Sequence, residues 1–171
     1  MIDIFVSRPT VIDKQYEKSY AAFEKFLTSK KIKIRRLGGN DYSLKAPLKA
    51  VMNLMKQCKG AIVLGYPHHE VTYFLKKGRE KINKHNFILP TPWNQIEGTL
   101  AYKQNIPVLV IAQNGVEGGL FDYGVTGEFV YKTDLSSNKC FKSEEFLGVF
   151  QDWKHQVTTR ARHRGQPLKY K

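Results

Sequence analysis

Two short apolar segments, at residues 61–65 and 108–112, constrain the fold of this chain more than any other feature. The first is Ala-Ile-Val-Leu-Gly and the second is Val-Leu-Val-Ile-Ala, so neither has a polar position. A strand of this kind suits a sheet that is covered on both faces, as parallel sheets are. We therefore expect an α/β domain with a central sheet buried between layers of helices.

Strand and helix patterns alternate along the rest of the chain. Strands are predicted at residues 2–7, 32–37, 61–65, 108–112 and 128–131, and helices at residues 14–27, 48–55, 92–104 and 144–157. Five strands joined by helices of this length predict a mostly parallel sheet with right-handed crossovers. Ligands bind at the carboxyl ends of the strands in such sheets, near the point where the strand order reverses.

The predicted binding region is therefore made of the loops that leave the strands. These loops are residues 7–10, 37–47, 65–93 and 112–123. The third loop is unusually long, and it has room for a short helix at residues 72–84. Long connections in compact domains are more often lids or binding loops than simple connectors.

Length and hydropathy predict one domain that is not embedded in a membrane. A chain of 171 residues suits a single domain, which we place at residues 1–157, followed by a basic tail at residues 158–171. No apolar run approaches the roughly 20 residues that cross a bilayer. The N-terminus enters a strand pattern directly and has no signal-like segment, so we expect a cytoplasmic location.

Nearly half of the net charge of +13 lies in the last 18 residues of the chain. All 15 acidic residues lie at or before Asp152, whereas residues 154–171 carry six basic side chains and no acidic one. This tail has too little apolar surface to fold alone. It is either a solvated tail or an arm that attracts nucleic acid or polyphosphate without sequence specificity.

Neither the cysteines nor the histidines predict a metal site. Cys58 and Cys140 lie far apart without ligand spacing, and we interpret them as reduced packing residues. His68 and His69 are interpreted as loop residues, because no further ligand at suitable spacing joins them.

The start of the helix at residue 92 is well marked. Thr91 is a suitable N-cap, and Pro92 occupies the first helical position, where its missing N–H needs no partner. Trp93 and Glu97 are four residues apart and therefore share one face of the helix. The positive end of the helix dipole favours an ionised Glu97.

These residues resemble the Toll/interleukin-1 receptor (TIR) domain family. The resemblance covers roughly residues 1–132. It includes the first strand Asp-Ile-Phe-Val-Ser at residues 3–7, the Trp93 and Glu97 pair after the third strand, and the Ile-Pro-Val strand from residue 106. The fold that it implies is a flavodoxin-like three-layer sandwich with a central five-stranded sheet.

The resemblance implies cleavage of the bond between nicotinamide and ribose in NAD, with Glu97 as the essential carboxylate. NAD is then the substrate, and no cofactor is expected. A carboxylate suits this role, because it can stabilise the cation-like sugar that is left when the base departs. The residues expected near the dinucleotide are Ser7, Arg8, Asp41, Tyr42 and Lys45, with Arg8 or Lys45 available for the pyrophosphate.

The resemblance also implies a biological setting, and it leaves alternatives open. TIR domains often act as assemblies, so a homo-oligomer, an effector protein partner and a role in bacterial antiphage defence are expected. The Glu97-to-Tyr102 segment is also similar to nucleoside 2-deoxyribosyltransferases. Those enzymes have acidic residues just before this helix, where the present chain has Glu70 and Glu80 but no Asp between residues 65 and 93. A third hypothesis is a non-catalytic nucleotide-binding signalling module.

Several candidate residues have a structural alternative. Glu97 may be read as a surface carboxylate, and Trp93 as a residue that buries its ring against the sheet. Tyr66 follows the third strand and is placed to face a ligand, or to pack. Asp122 either contacts a base or closes a turn in the glycine-rich loop, and the turn is favoured.

Overall fold

The computed structural model describes residues 1–38, 41, 44, 46–71, 87–137 and 139–162, with side chains through residue 159. Seven strands and four α-helices are found in these ranges. In chain order they are β1 (Ile2–Ser7), α1 (Lys14–Ser29), β2 (Ile32–Arg35), α2 (Pro47–Met55), β3 (Gly60–Gly65), β4 (His69–Val71), β5 (Phe87–Leu89), α3 (Pro92–Lys103), β6 (Val108–Gln113), β7 (Val130–Thr133) and α4 (Glu144–Arg162).

The central sheet has five strands in the order β2-β1-β3-β6-β7, and every neighbouring pair is parallel. This confirms the predicted α/β class and the flavodoxin-like three-layer arrangement. The chain leaves β1 toward one edge of the sheet, forms β2, and then crosses back to form β3 on the other side of β1. The strand order therefore reverses between β1 and β3, where a ligand crevice is expected.

Alternation along the strands divides the side chains between two helical layers. Ile4 and Val6 of β1 belong to one cluster with residues of α1 and α4. Phe5 lies on the opposite face, in a cluster with residues of α2 and α3. Ser7 continues the alternation of Phe5, so its hydroxyl is directed toward the α2 and α3 side.

The ends of several elements differ from the predicted ones. β7 is Val130–Thr133 rather than residues 128–131. α4 continues to Arg162, five residues into the segment interpreted as a tail. No glycine or proline occurs in α4 after Gly148, and Val157 is buried, so nothing stops the helix at residue 157.

The connection from β3 to α3 contains a β-hairpin. β4 and β5 pair in antiparallel orientation, and the backbone N–H of His68 donates to the carbonyl of Leu89 at 3.0 Å. Glu117 N–H in turn donates to the carbonyl of Ile88, which ties the hairpin to the glycine-rich loop. The helix predicted at residues 72–84 lies outside the described residues.

Both cysteines are free and buried, as predicted. Burial raises the pKa of Cys58 to about 12 and that of Cys140 to about 11. At neutral pH both are thiols, and they act as small packing residues. In the described part of the chain, no helix is both long enough and apolar enough to cross a membrane.

Candidate functional site

The first turn of α3 is built as its sequence predicts. Thr91 is the N-cap, its side-chain oxygen accepts the backbone N–H of Asn94 at 3.1 Å, and Pro92 occupies the first turn. Gly98 faces the sheet, and a Cβ there would approach Leu120 to 2.7 Å. The helix therefore packs closely on β3, which brings its N-terminal residues to the carboxyl edge of the sheet.

A cavity of about 440 Å³ opens at this edge, beside the point where the strand order reverses. It is lined by residues that follow β1 and β2, by the first turns of α2 and α3, and by His68. They are Arg8, Pro9, Thr10, Val11, Arg36, Leu37, Gly38, Pro47, Val51, His68, Thr91, Pro92, Trp93 and Glu97. Its volume lies within the range of about 300–1,000 Å³ that is typical of small-molecule sites.

Glu97 has a strongly shifted ionisation. Burial raises the pKa of its carboxyl group from 4.5 to about 7, whereas a hydrogen bond from Ser7 and the positive charge of Arg36 lower it. The shift is opposite in direction to the effect of the helix dipole, which favours an ionised Glu97. Removal from water outweighs the helix dipole here, because desolvation disfavours the charged form.

A buried chain of polar groups lies behind Glu97. The Thr91 hydroxyl donates to Asn94 Oδ1 at 2.8 Å, and Asn94 Nδ2 donates to Ser7 Oγ at 2.9 Å. Thr91, Asn94 and Ser7 are 8%, 0% and 1% exposed. This chain joins β1 to α3 across 87 positions of the sequence.

Two arginines contribute positive charge to the cavity. The guanidinium carbon of Arg8 lies 4.3 Å from the centre of the Tyr20 ring, and its Nη1 donates to the carbonyl oxygens of Pro9 and Thr10. Arg8 Nε and Arg36 Nη1 are buried atoms without a hydrogen-bond partner in the described residues. Buried donors of this kind are normally satisfied, so both have capacity for an external acceptor.

Trp93 is 45% exposed and lines the cavity. The alternative in which its ring buries against the sheet is therefore wrong. Gly98 and Ala101 make that close contact instead, because they are small. His68 also lines the cavity, and its ring meets that of His69 edge to face at 4.5 Å.

Tyr66 lies away from the cavity. It is 1% exposed and packs against Tyr16 at a ring-centre distance of 5.2 Å, within the cluster under α1 and α4. It continues the alternation of Ile62 and Leu64, which places it on the face opposite to Glu97. A ligand-facing Tyr66 is therefore not what the structure shows, and burial raises the pKa of its hydroxyl group well above 10.

Asp41 and Asp122 serve local structure and do not line the cavity. The Asp41 carboxylate accepts from Arg35 Nε and Nη2, with the shortest contact at 2.6 Å. The Asp122 carboxylate accepts the backbone N–H of Gly118 at 2.7 Å, which closes a turn in the glycine-rich loop. Tyr42 and Lys45, the other two candidates of the loop after β2, lie outside the described residues.

Sequence reasoning missed Arg36, Asn94 and the loop residue Val11. Arg36 was placed inside the predicted strand at residues 32–37, but β2 ends at Arg35, so Arg36 belongs to the loop at the strand end, where ligands gather. Asn94 is the third residue after the N-cap, a position that meets the cap side chain. Among the described residues, no cluster of three His, Cys, Asp or Glu side chains is arranged to hold a metal ion.

No protein-family model matches the chain, and no curated protein is similar to it at a significant level. Inferences about activity therefore rest on the geometry of the cavity and on the residues quoted above.

Proposed function

We propose that this protein is an N-glycosidase that cleaves the nicotinamide–ribose bond of NAD, with Glu97 as the catalytic carboxylate. The observation that carries the proposal is Glu97 itself. Among the described residues that line the cavity, it provides the only carboxyl group, and burial raises its pKa to about 7. Shifted pKa values of this kind, in a concave site at a strand-order reversal, are typical of functional groups.

The chemistry follows from the charge of the departing base. Nicotinamide leaves as a neutral molecule and takes the electron pair of the C–N bond, so the ribose carbon acquires positive charge. An ionised Glu97 beside that carbon stabilises the charge as it develops. Water then adds to the carbon and releases a proton, which gives nicotinamide, ADP-ribose and H⁺. Attack by an atom of the adenine ring in place of water gives a cyclised product.

The arginines favour a substrate that carries phosphate. Arg8 and Arg36 line the same cavity as Glu97, and each has a buried nitrogen without a partner in the described part of the chain. Guanidinium groups bind phosphate oxygens through short, charge-assisted hydrogen bonds. The exposed face of Trp93 suits stacking with a nucleobase or with nicotinamide. A dinucleotide matches this set of groups better than an uncharged nucleoside does.

The resemblance to TIR domains supports a setting for this activity. In this proposal the protein acts in the cytoplasm as a homo-oligomer in antiphage defence, and its nucleotide product signals to an effector protein. Its basic C-terminal segment assists association with nucleic acid without sequence specificity.

The test is the release of nicotinamide from NAD by purified protein at high concentration, followed by chromatography. We expect turnover by the unmodified protein and a loss on the order of 10³-fold in Glu97→Gln, which keeps the shape of the side chain but not its charge. Activity is expected to rise with an apparent pKa near 7, because the ionised form of Glu97 is the active one.

Glu145→Gln is the matched control. Glu145 is a glutamate near the start of another helix, but it is exposed and lies outside the cavity lining. Turnover that persists in Glu97→Gln, or falls equally in Glu145→Gln, contradicts the proposal. Base exchange on deoxynucleosides without loss of NAD supports the deoxyribosyltransferase alternative instead.

A further inference from the structure

The edge of the central sheet opposite the cavity is formed by the turns that enter its strands. Those that enter β2, β3 and β6 are residues 30–31, 56–59 and 103–107. The Ile2 N–H donates to the carbonyl of Lys31 at 2.8 Å, and the Lys59 N–H donates to the carbonyl of Asp3 at 2.9 Å, so the turns are fixed to the start of β1. We call the surface of these three turns the amino edge, because the parallel strands begin there.

The amino edge is basic. Its three turns contain no acidic residue and five lysines, which are Lys30, Lys31, Lys56, Lys59 and Lys103. Lys59 is partly exposed, and the other four are exposed. The loops that leave β1 and β6, residues 8–13 and 114–122, carry one basic and three acidic residues instead. Positive charge is therefore gathered at the end of the sheet away from the cavity.

Acidic side chains of the described residues lie at the margin of the amino edge. They are Asp3, Glu128 and Asp152. The Asp3 carboxylate is bonded to Arg35 at 3.0 Å, and the Asp152 carboxylate accepts from Gln156 at 3.1 Å. Glu128 precedes β7, at the far side of the sheet from β2. The five lysines therefore give the amino edge a positive charge that its own turns do not neutralise.

Helix α4 brings the basic C-terminal segment to the same edge. Trp153 Nε1 donates to the carbonyl of Pro107 at 3.1 Å. Val157 packs so closely on Gly60 that a Cβ there would approach it to 2.6 Å. The last turns of α4 therefore lie at the amino edge. From residue 160 onward the sequence adds five basic residues and no acidic one.

Lys31 has a backbone conformation that does not favour lysine. Its φ is 61°, in the left-handed region where glycine or asparagine usually follows a helix. The equivalent residue after α3 is Asn105, with a φ of 53°. The helix dipole accounts for lysines at helix ends, such as Lys30, Lys56 and Lys103. It does not account for a lysine in place of asparagine at residue 31, whereas a contact made by the exposed charge does.

Phosphate groups of a nucleic acid fit this surface best. None of the large apolar side chains that are exposed among the described residues lies in the three turns. Helices that bind membrane surfaces, and the cores of protein interfaces, use apolar or aromatic side chains. Neighbouring strands are about 4.8 Å apart, so β2 to β6 cover roughly 14 Å, or about four base-pair rises of 3.4 Å. Lysines along this distance can neutralise several successive phosphates.

We infer that the amino edge is a nucleic-acid-binding surface, where the five lysines contact the phosphate backbone without sequence specificity. The surface lies at the opposite end of the sheet from the cavity, so it leaves the cavity open to its own ligand. None of the five lysines lines the cavity, and the inference therefore does not depend on cleavage of NAD.

The test is the fluorescence anisotropy of a labelled DNA duplex and of a labelled single-stranded RNA, titrated with the full chain at several salt concentrations. We expect the unmodified protein to bind both, since both carry the phosphate backbone. Lys31→Gly/Lys56→Gln/Lys59→Gln is expected to weaken binding by roughly tenfold or more at about 0.1 M salt. The slope of log K against log salt concentration is expected to become shallower by about one for each lysine removed.

A second triple variant removes the same charge from the other end of the sheet. Lys14 begins α1, and Lys139 and Lys142 lie just before α4. All three are exposed, and we expect their replacement by glutamine to weaken binding by no more than about twofold.

Lys31→Gly alone keeps the inference testable if the amino-edge triple variant does not fold. Glycine adopts a φ of 61° without strain, so we expect the midpoint of urea unfolding to stay the same or to rise. Binding of both oligonucleotides is nevertheless expected to weaken, with a shallower salt dependence. A lysine that serves only the fold would not give this combination.

The inference is overturned if the unmodified protein binds neither oligonucleotide, or if both triple variants lose binding equally. Unchanged binding in the amino-edge variant also overturns it and assigns the association to residues 160–171, which every variant keeps. Vesicles of phosphatidylcholine and phosphatidylserine are titrated in parallel. Binding to these vesicles alone, lost in the amino-edge variant, would identify a membrane surface as the partner instead. Release of nicotinamide is measured separately, and its absence does not alter the binding result.

Discussion

Two adjacent arginines, Arg35 and Arg36, have opposite surroundings. The side-chain donors of Arg35 have hydrogen-bond partners within the protein. They donate to Asp41, to Asp3 at 3.0 Å and to Gln57 at 3.3 Å. Arg36 faces the cavity, and its buried Nη1 has no hydrogen-bond partner in the described residues. The first arginine joins β2, β1 and the loop that follows β2, whereas the second is held next to Glu97 without a carboxylate bonded to it.

This difference between Arg35 and Arg36 gives a physical criterion for telling a charge that stabilises the fold from one that is available to a ligand. A charge whose partners all come from its own chain stabilises the fold and has little left for a ligand. A buried donor without a partner is unfavourable by about 1–3 kcal/mol, so the unpartnered nitrogen of Arg36 calls for an acceptor such as water, an ion or a ligand. The Arg35 cluster is therefore structural, and the cavity with Arg36 and Glu97 is the candidate site.

The largest expected effect on stability concerns Glu97. Its folded-state pKa of about 7 lies above the unfolded value of 4.5, so the folded protein binds more protons between these values and loses stability as the pH rises. We expect Glu97→Gln to be more stable than the unmodified protein at pH 8, by up to about 3 kcal/mol, and equally stable below pH 4.5. Urea unfolding at the two pH values measures this difference. Equal stability at pH 8 would show that Glu97 is well solvated.

The variant Arg35→Gln removes the arginine that bonds to Asp3, Asp41 and Gln57. It leaves the carboxylates of Asp3 and Asp41 without their cation, and the side chain of Arg35 is only 14% exposed. We expect the free energy of unfolding to fall by about 2 kcal/mol, measured by urea unfolding at pH 7. Binding of ADP-ribose to the folded variant is expected to remain as before. Unchanged stability of Arg35→Gln would contradict the structural role assigned to Arg35.

Arg36→Gln is expected to show the reverse pattern. Its stability is expected to stay the same or to rise, because a buried donor without a partner in the described residues is removed. Binding of ADP-ribose, measured by calorimetry, should weaken by roughly tenfold with the loss of a charged contact to phosphate. Lys33→Gln removes the same charge from an exposed position of β2 and serves as the control. Equal weakening in both variants would indicate a general effect of charge.

Asp41→Asn is expected to have the smallest effect. Arg35 keeps its bond to Asp3 in this variant, so we expect a loss of about 1 kcal/mol at pH 7. Arg35 lowers the pKa of Asp41 below 3.8, so the pair stabilises the protein above pH 3.8 and is lost as the pH falls through the folded-state value. The variant and the unmodified protein should therefore converge in strong acid, as urea unfolding at pH 2 would show.

Local patterns predicted most of the fold. The apolar segments at residues 61–65 and 108–112 became β3 and β6, which pair with each other at the centre of the sheet. Thr91 and Pro92 marked the start of α3 to the residue, because a helix start is set by groups within one turn. The β4–β5 hairpin was not predicted, since strands of three residues are too short to show alternation.

The candidate site was only partly predictable. Glu97 and Trp93 could be placed on one helix face from their spacing, and Arg8 from its position after β1. Tyr66 also follows a strand, yet the alternation along β3 places it on the opposite face of the sheet. Side chains alternate along a strand, so Tyr66 shares the face of Ile62 and Leu64, and this rule predicts that it points away from the cavity.

The sequence by itself determined the five strands of the central sheet, the four helices and the start of α3, because these depend on neighbours within a few residues. Only the tertiary structure decided which polar groups have partners. The partner of Asn94 is Ser7, 87 positions away, and Arg35 bonds to Asp3 across 32 positions. The pKa of Glu97 likewise follows from burial by distant segments, which outweighs the local helix dipole. Burial and long-range pairing depend on how the chain packs. For this reason the hydrogen-bond partners and the pKa values at the site could be determined only from the folded protein.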